Sequence, residues 1–341
     1  MPKVTVLLPV YNGEQFLRET IESIVSQSFQ DFELLIIDDG STDRSSEIIQ
    51  AFQDDRIRVL KNEKRLKLSG ALNRGLDAAR GIYIARMDAD DIALPNRLQE
   101  EVCFLDSHPD IGLCGSAIEV FGESVTTHIE RYPAGTEQIR CYALFDCPFC
   151  HPSVMMRKTL LDRHHLRYDG SYYPTEDYEL WSRAIMLFPT ANLDTVLLRY
   201  RVHGASMTGA DWDDMDRQAT RIIGHLFDRA GIACTGGQLQ LHRNIGRGRS
   251  CRLSHIRELV EAEAWLGQLL TENTIYEKQA LAATVALVWF RLCLNNTGLG
   301  PGVWRRYLAS GLRTSDPLRI RHAATICAST VKQMLPGRRA G

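Results

Sequence analysis

The chain lacks any run of about 18 consecutive apolar residues, the length that a membrane-spanning helix needs. Its longest apolar stretch, Ala280 to Leu294, is interrupted by Arg291 and suits a buried helix better. The basic start, long apolar stretch and small-residue cleavage site of a secretory leader are missing too, because Met1-Pro2-Lys3 runs straight into an apolar strand. Cytoplasmic residence is the expectation. Cysteine offers no disulfide framework: nine residues, an odd number scattered over 341 positions, read as mostly reduced and buried thiols. Internal repeats and low-complexity tracts are absent. No glycine-rich phosphate loop follows the first strand, where Pro9-Val10-Tyr11-Asn12 stands instead.

Charge of one sign is lacking overall, with a formal net of −2, but its distribution is lopsided. Residues 1–241 hold 25 Lys and Arg against 36 Asp and Glu, whereas residues 242–341 hold 15 against 6. A basic tail of this kind points to an anionic membrane surface as partner rather than to nucleic acid. Arg305, Arg306, Arg313, Arg319, Arg321, Lys332, Arg338 and Arg339 face only Asp316 there. Between them, Leu318, Ile320, Ala323, Ile326, Val331 and Leu335 are read as an apolar stripe. The competing reading is a helix packed on the rest of the protein.

The length suggests one large domain and a smaller one. Four short β-branched segments, Val4 to Leu8, Glu33 to Ile37, Ile57 to Leu60 and Ile82 to Ala85, alternate with helix-like segments at Phe16 to Val25, Arg44 to Phe52 and Gly70 to Ala79. Alternation predicts a parallel sheet with right-handed crossovers. Beyond a helix opened by Pro95 the pattern loosens: strands are expected at Ile111 to Val120, Ser153 to Met156 and Thr195 to Val202. A helix at Glu176 to Met186 should carry an apolar stripe of Leu180, Ala184 and Leu187. From Trp212 onward the periodicity is helical only, and the boundary falls near Gly209.

Polar residues cluster where strands run out, which is where open α/β sheets bind ligands. Met87-Asp88-Ala89-Asp90-Asp91 follows the fourth strand. Carboxylates two apart on extended chain point the same way, and hard cations such as Mg²⁺ and Mn²⁺ take one or two of them together with phosphate oxygens. The plainer reading is an acidic turn capping the next helix.

Val4 to Asn12 (Val-Thr-Val-Leu-Leu-Pro-Val-Tyr-Asn), Ile37 to Asp43 (Ile-Asp-Asp-Gly-Ser-Thr-Asp), Met87 to Asp91, Thr175 to Trp181 (Thr-Glu-Asp-Tyr-Glu-Leu-Trp) and Tyr200 to His203 resemble, in content and order, the family 2 glycosyltransferases. The resemblance covers roughly residues 1–208. It implies a GT-A fold, a Rossmann-like mixed sheet flanked by helices, as the catalytic domain over residues 1–209, with 210–341 a C-terminal helical region. It implies an inverting transfer of a sugar from a nucleotide-diphosphate donor to a saccharide or lipid-linked hydroxyl, in surface polysaccharide or glycolipid assembly. Asp39 is implied in uridine recognition, which favours a UDP- or dTDP-sugar, and Pro9, Tyr11, Asn12 and Glu14 in shaping the nucleotide loop. Asp90 is the implied metal ligand for Mn²⁺ or Mg²⁺, with Asp88 on ribose or metal and His203 a further contact. Asp177 is the implied base, with Glu176 as fallback.

Other residues stay open. Asp43 reads as a helix cap, and the resemblance implies that Asn62 and Asn73 lie in the loop and helix flanking the donor, although this segment departs from the family's usual Gly-rich form. Arg86 either pairs with Asp88 or reaches the donor, and the basic loop Lys61 to Gly70 either contacts the diphosphate or is solvated. Thr175 reads as an N-cap, and the helix dipole should lower the Asp177 pKa. Cys147-Pro-Phe-Cys150-His151 matches a haem-attachment pattern, rejected for want of an export signal; the resemblance implies instead a loop and strand lining the acceptor side, with His151 a site candidate. A sugar-nucleotide nucleotidyltransferase would also pair acidic metal ligands with a parallel sheet, but it calls for the absent glycine-rich loop. A non-catalytic nucleotide-binding protein would not need Asp88, Asp90 and Asp177 together.

Overall fold

The computed structural model describes residues 1–123, 125–204, 212–246 and 251–334. The boundary near Gly209 lies outside the described residues, as do Leu335, Arg338 and Arg339 of the tail. The strands are β1 (Val4–Val10), β2 (Phe32–Asp38), β3 (Ile57–Lys61), β4 (Tyr83–Arg86), β5 (Ile92–Ala93), β6 (Leu113–Gly122), β7 (His128–Glu130), β8 (Met155–Arg157) and β9 (Thr190–Val202). The helices are α1 (Leu17–Val25), α2 (Ser45–Gln50), α3 (Lys67–Ala78), α4 (Arg97–Ser107), α5 (Thr136–Tyr142), α6 (Lys158–Arg163), α7 (Glu176–Ala184), α8 (Trp212–Ala230), α9 (Gly236–Gly246), α10 (Ile256–Glu272), α11 (Lys278–Asn295), α12 (Pro301–Ala309) and α13 (Arg319–Met334). Packing groups residues 1–139 with 147–218 as one compact unit, and 140–146 with 219–341 as another.

The first unit is built on one sheet of order β3-β2-β1-β4-β8-β6-β9-β5, with β7 paired to β6. Its first half is parallel, β1 lying between β2 and β4 and β3 outside β2. Every residue of β1 and β2 is buried, as expected of strands covered by helices on both faces. Gly81 admits β4 beside β1, since a Cβ there would meet Thr5 N at 2.4 Å and Val4 C at 2.7 Å. The second half departs from the alternating pattern: β8 runs antiparallel to both β4 and β6, and β5 antiparallel to β9. The sheet is therefore mixed. Helix α7 stops at Ala184, so Leu187 is 47% exposed, and the buried stripe is completed by Trp181 rather than Leu187.

The second unit is helical. Apolar side chains such as Phe227, Leu259, Trp265, Leu269, Leu281, Trp289 and Tyr307 are buried in it, each large aliphatic contributing about 1.5–3 kcal/mol. The Ala280–Leu294 stretch is the body of α11, with Leu281, Val285, Val288, Trp289 and Leu292 buried. Among the described residues, no helix is long and apolar enough to cross a membrane. The expected tail stripe is divided: Ile326 is fully buried, whereas Leu318, Ile320 and Val331 are 50%, 82% and 51% exposed.

Candidate active site

The loops leaving the carboxyl ends of β1, β2 and β4 surround one cleft of about 490 Å³. Pro9, Tyr11 and Asn12 form one wall, Asp39 another, and Asp88 and Asp90 a third, with His203 and Tyr173 at the rim. The loop after β2 turns at Gly40, whose φ of 82° is a left-handed conformation that glycine adopts without strain. The turn lets Ser41 N donate to Asp38 Oδ1 (2.9 Å), and Ser46 Oγ donates to Asp38 Oδ2 (2.9 Å). Burial alone would raise the Asp38 pKa, but these bonds and Lys61 bring it below the usual carboxylate value. Asp39, only 3% exposed, accepts from Asn62 Nδ2 (2.5 Å) and Leu66 N (2.7 Å) through Oδ1. Asn12 locks the first two loops together: its Oδ1 accepts from Thr42 N (2.8 Å) and its N–H donates to Ser41 Oγ (3.1 Å).

The basic loop turns partly inward. Arg65 lies 3.7 Å above the centroid of the Tyr11 ring, and Arg65 and Lys67 both line the cleft. Sequence reasoning named the loop without separating these two from its solvated charges, because a run of Lys and Arg gives no sign of direction. Tyr173, which nothing in the sequence marked, also borders the cleft.

Asp88, Asp90 and Asp91 present oxygens within 4.8 Å of one another, the sole such grouping of His, Cys, Asp or Glu among the described residues. Burial raises the Asp88 and Asp91 pKa values, and the neighbouring carboxylates add to the effect. Asp91 Oδ1 accepts from Arg201 N (2.8 Å), while its buried Oδ2 has no hydrogen-bond partner. Three repelling carboxylates, one with an unpartnered buried oxygen, make an all-oxygen donor set that fits a hard divalent cation. His203 Nε2 meets Asp90 Oδ2 at 3.0 Å, and its ring packs 4.8 Å from Phe16. Among the described residues, Cys147, Cys150 and His151 form no metal-binding group, with one another or with a further ligand.

A second cluster sits at the head of α7. Thr175 precedes the helix, but its hydroxyl donates back to Tyr172 O (3.0 Å) and caps nothing. Burial lifts Asp177 to a pKa of about 6. Glu176, 2% exposed with Oε2 unpartnered, is lifted to about 7 by burial and then by Asp177. The expected lowering of the Asp177 pKa is thus reversed: a helix dipole contributes about 0.3–1 kcal/mol, and desolvation outweighs it. Arg86 lies buried nearby and pairs with Asp88. His151 Nε2 meets Tyr168 Oη at 2.9 Å, and burial drives the His151 pKa well down, so the ring is neutral.

Several expected nucleotide-binding residues stand outside the cleft walls. Glu14 Oε2 accepts from Arg44 N (3.0 Å) and faces a separate groove with Arg18 and Glu47. Asn73 grips the main chain of Tyr168 from both sides, donating to its O and accepting from its N at 2.8 Å each. Arg86 and His151 belong to the cluster at the head of α7, since burial excludes Arg86 from the cleft surface. Asp43 stands one residue before the N-cap of α2, Arg44, and ties the loop down there, Oδ1 accepting from Ser45 N (3.0 Å) and Oδ2 from Glu14 N (2.9 Å).

Sheet and site together define a glycosyltransferase of GT-A fold. Staphylococcus aureus TarS, residues 1–349 in complex with UDP-GlcNAc, superposes with a TM-score of 0.57 at 16% identity, covering 98% of this chain and 93% of that one. The mannosyltransferase PcManGT from Pyrobaculum calidifontis, in complex with GDP-Man and Mn²⁺, gives 0.52 at 18% identity, covering 99% and 88%. The family model described as glycosyl transferase family 2 matches residues 5–165. The amylovoran biosynthesis glycosyltransferase AmsE of Erwinia amylovora is 32% identical over 207 residues, or 58% of this chain and 75% of its own. The chain belongs to glycosyltransferase family 2.

Proposed function

We propose that this glycosyltransferase moves a sugar from a nucleotide-diphosphate donor to a hydroxyl acceptor, with inversion and with a divalent metal, Mn²⁺ or Mg²⁺. The observation that carries the reading is the pairing of a cleft walled by Asp39, Asp88 and Asp90 with a second cluster that raises the pKa of Asp177. The Asp39 carboxylate, an acceptor only, takes a ring N–H of the base, which suits uracil or thymine and not cytosine. Pro9, Tyr11 and Asn12 enclose the nucleoside, and Arg65 and Lys67 offer positive charge to the diphosphate. Asp88 and Asp90, with His203 orienting Asp90, would hold the cation. Bound there, the metal supplies charge neutralisation to the departing diphosphate.

Asp177 takes the proton of the acceptor hydroxyl as that oxygen bonds to the anomeric carbon and the bond to the diphosphate breaks on the opposite face. One displacement inverts the centre, and no protein nucleophile is needed. A base with a pKa of about 6 is ionised at neutral pH yet stronger than an ordinary aspartate. Glu176, whose own pKa is raised by burial and by the Asp177 charge, is the fallback base. The likeness to AmsE supports a setting in surface polysaccharide assembly. The test is release of nucleoside diphosphate from a panel of nucleotide sugars with acceptor, with and without chelator; turnover unaffected by excess chelator removes the metal, and no release from any donor removes the reading.

The acceptor is saccharide or lipid-linked, met at the cytoplasmic face of an anionic membrane. Support comes from α13, where Ile320 and Val331 are exposed on the side that also carries Arg321 and Lys332. Such a face suits the interface, each basic residue adding about 1 kcal/mol near anionic lipid. Flotation with anionic but not neutral liposomes, lost in Ile320→Ser/Val331→Ser, is the expected result; no binding to either leaves α13 structural.

A further inference from the structure

The acidic loop that follows β4 is held against α1 by a side chain from the other half of the sheet. β9 pairs with β5, Arg199 opposite Ile92, and with β6, where Arg201 lies beside Phe121. Arg201 thereby meets the loop at two consecutive residues: its main-chain N–H donates to Asp91 Oδ1 (2.8 Å), and its Nε donates to the Asp90 carbonyl (2.7 Å). Its Nη2 pairs with Glu19 in the first turn of α1. The guanidinium carbon also lies 4.4 Å from the Phe16 ring centroid and 4.6 Å from that of Phe121. Phe16 in turn carries the His203 ring at 4.8 Å, and His203 Nε2 meets Asp90 Oδ2 (3.0 Å). One turn further along α1, Thr20 Oγ1 donates to the Asp91 carbonyl (2.8 Å). The Arg201 side chain is only 14% exposed and is not among the walls of the cleft.

A planar guanidinium gives one N–H to a carbonyl, another to a carboxylate and its face to aromatic rings at the same time; a lysine ammonium, a compact point charge, offers no such fork or face. Resting on the functional reading above, we propose that Arg201 is a positioning residue that fixes the two walls of the donor cleft relative to each other. One wall is the loop of Tyr11 and Asn12 that leads into α1; the other is the loop of Asp88 and Asp90. With the walls fixed, nucleoside diphosphate and cation are bound as one unit, each tightening the other by the same factor. Without Arg201 the walls shift independently, and that factor falls. Arg201 touches no reacting atom and acts through the Asp90 main chain and α1.

The test is calorimetric titration of the full chain with uridine and with UDP, each with and without Mn²⁺, allowing for the Mn²⁺–UDP complex formed in solution. The ratio of the two UDP affinities is the coupling, and wild type should show about tenfold or more. Arg201→Met, which keeps the stem but loses the donors, should bring the ratio close to one, while uridine affinity stays within about twofold. Arg201→Lys should resemble the methionine variant, and Glu19→Gln, at an exposed position, should lower the ratio by about threefold. Wild-type coupling in Arg201→Met overturns the assignment. So does a loss of uridine binding as large as the loss of UDP binding, the mark of general loosening. Should Arg201→Met not fold, wild-type coupling in both Arg201→Lys and Glu19→Gln overturns it, and reduced coupling at an unchanged melting temperature supports it. Hydrogen exchange of the ligand-free protein gives an independent reading: amides of residues 90–93 and 17–21 should exchange faster in the variants, with the rest of the chain unchanged. Equal exchange there overturns the assignment. A wild type that binds neither UDP nor Mn²⁺ counts instead against the functional reading, and the exchange result still decides this one.

Discussion

Two buried polar clusters, one in each unit, are built on opposite terms. In the helical unit His242 is fully buried, and every polar atom of its ring is used. Trp265 Nε1 donates to His242 Nδ1 (2.9 Å), which fixes the tautomer, so Nε2 donates to Leu144 O (2.7 Å). The rings of Phe145, Phe227 and Trp265 enclose it at 4.5–5.9 Å between centroids. At the head of α7, by contrast, Glu176 Oε2 and the adjoining Arg86 Nε are buried without partners, and the carboxyl pKa values stand high. Satisfied burial stabilises a fold; unsatisfied burial of charge costs stability and leaves groups ready to act. On the function proposed above, the contrast sets a structural histidine against a carboxylate poised to act as base.

The largest effect expected is on Asp177→Asn. Transfer should fall by ~10²–10⁴-fold, the range of general-base catalysis, while nucleotide binding persists. Stability should move the other way. The folded pKa of about 6 exceeds the ordinary 3.8, so between those values the folded protein binds more protons than the unfolded chain. Its stability therefore falls as pH rises through that interval, and at neutral pH the charge costs on the order of 3 kcal/mol, which asparagine relieves. A variant that melts lower than wild type, with activity retained, breaks the comparison and makes Asp177 a structural first-turn residue.

His242→Ala is the converse. It strands the Trp265 N–H and the Leu144 carbonyl and opens a cavity among three rings, for a loss on the order of 2–4 kcal/mol. Calorimetry should show the drop in melting temperature; an unchanged melt refutes the lock. The pH response is also opposite in sign. Burial depresses the His242 pKa to about 4 from 6.5, so in that window the unfolded chain binds the extra proton. Stability is complete above the upper value and is lost as pH falls toward the lower one. Wild type, which carries both clusters, should show a flattened profile between about pH 4 and 7. Asp177→Asn should steepen its acid side, and a profile identical in both proteins argues against the Asp177 shift.

How much of this was legible beforehand depends on what each pattern can encode. β1 to β4 are short, uninterrupted β-branched runs, and their order follows from alternation with helices, so the parallel half and the carboxyl-end site stood in the sequence. The antiparallel half did not, because β5 is only Ile92–Ala93 and its partner β9 lies far along the chain. Motifs named Asp39, Asp90 and Asp177 but gave no direction for Arg65 or Lys67, since a basic loop looks the same facing in or out. The dipole argument for Asp177 failed because burial depends on packing that a local pattern does not contain. In α13, periodicity showed apolar residues, yet only packing shows that Ile326 faces in and Ile320 out.

The smallest effects come from one loop, in which Asp39 and Asp43 share a chemistry and differ in use. Burial would raise the Asp43 pKa, but hydrogen bonds from Ser45 and Glu14 bring it below the usual value. Asp43 is thus a satisfied group, like His242 in miniature, and Asp43→Ala should cost about 1 kcal/mol in thermal stability, as bonds lost at a helix start do, with nucleotide affinity lowered only through the loop. Asp39→Asn keeps an oxygen that can accept from Asn62 and Leu66 N, so stability should change little. It substitutes an amide for an acceptor-only carboxylate at the cleft, and the preference for uridine diphosphate over cytidine diphosphate should shrink by about tenfold, or 1.4 kcal/mol. Calorimetric titration of both variants with both nucleotides decides the matter. Equal affinity of the wild type for the two, or a clear preference for guanosine diphosphate, would remove Asp39 from base recognition and leave it, with Asp43, holding the loop.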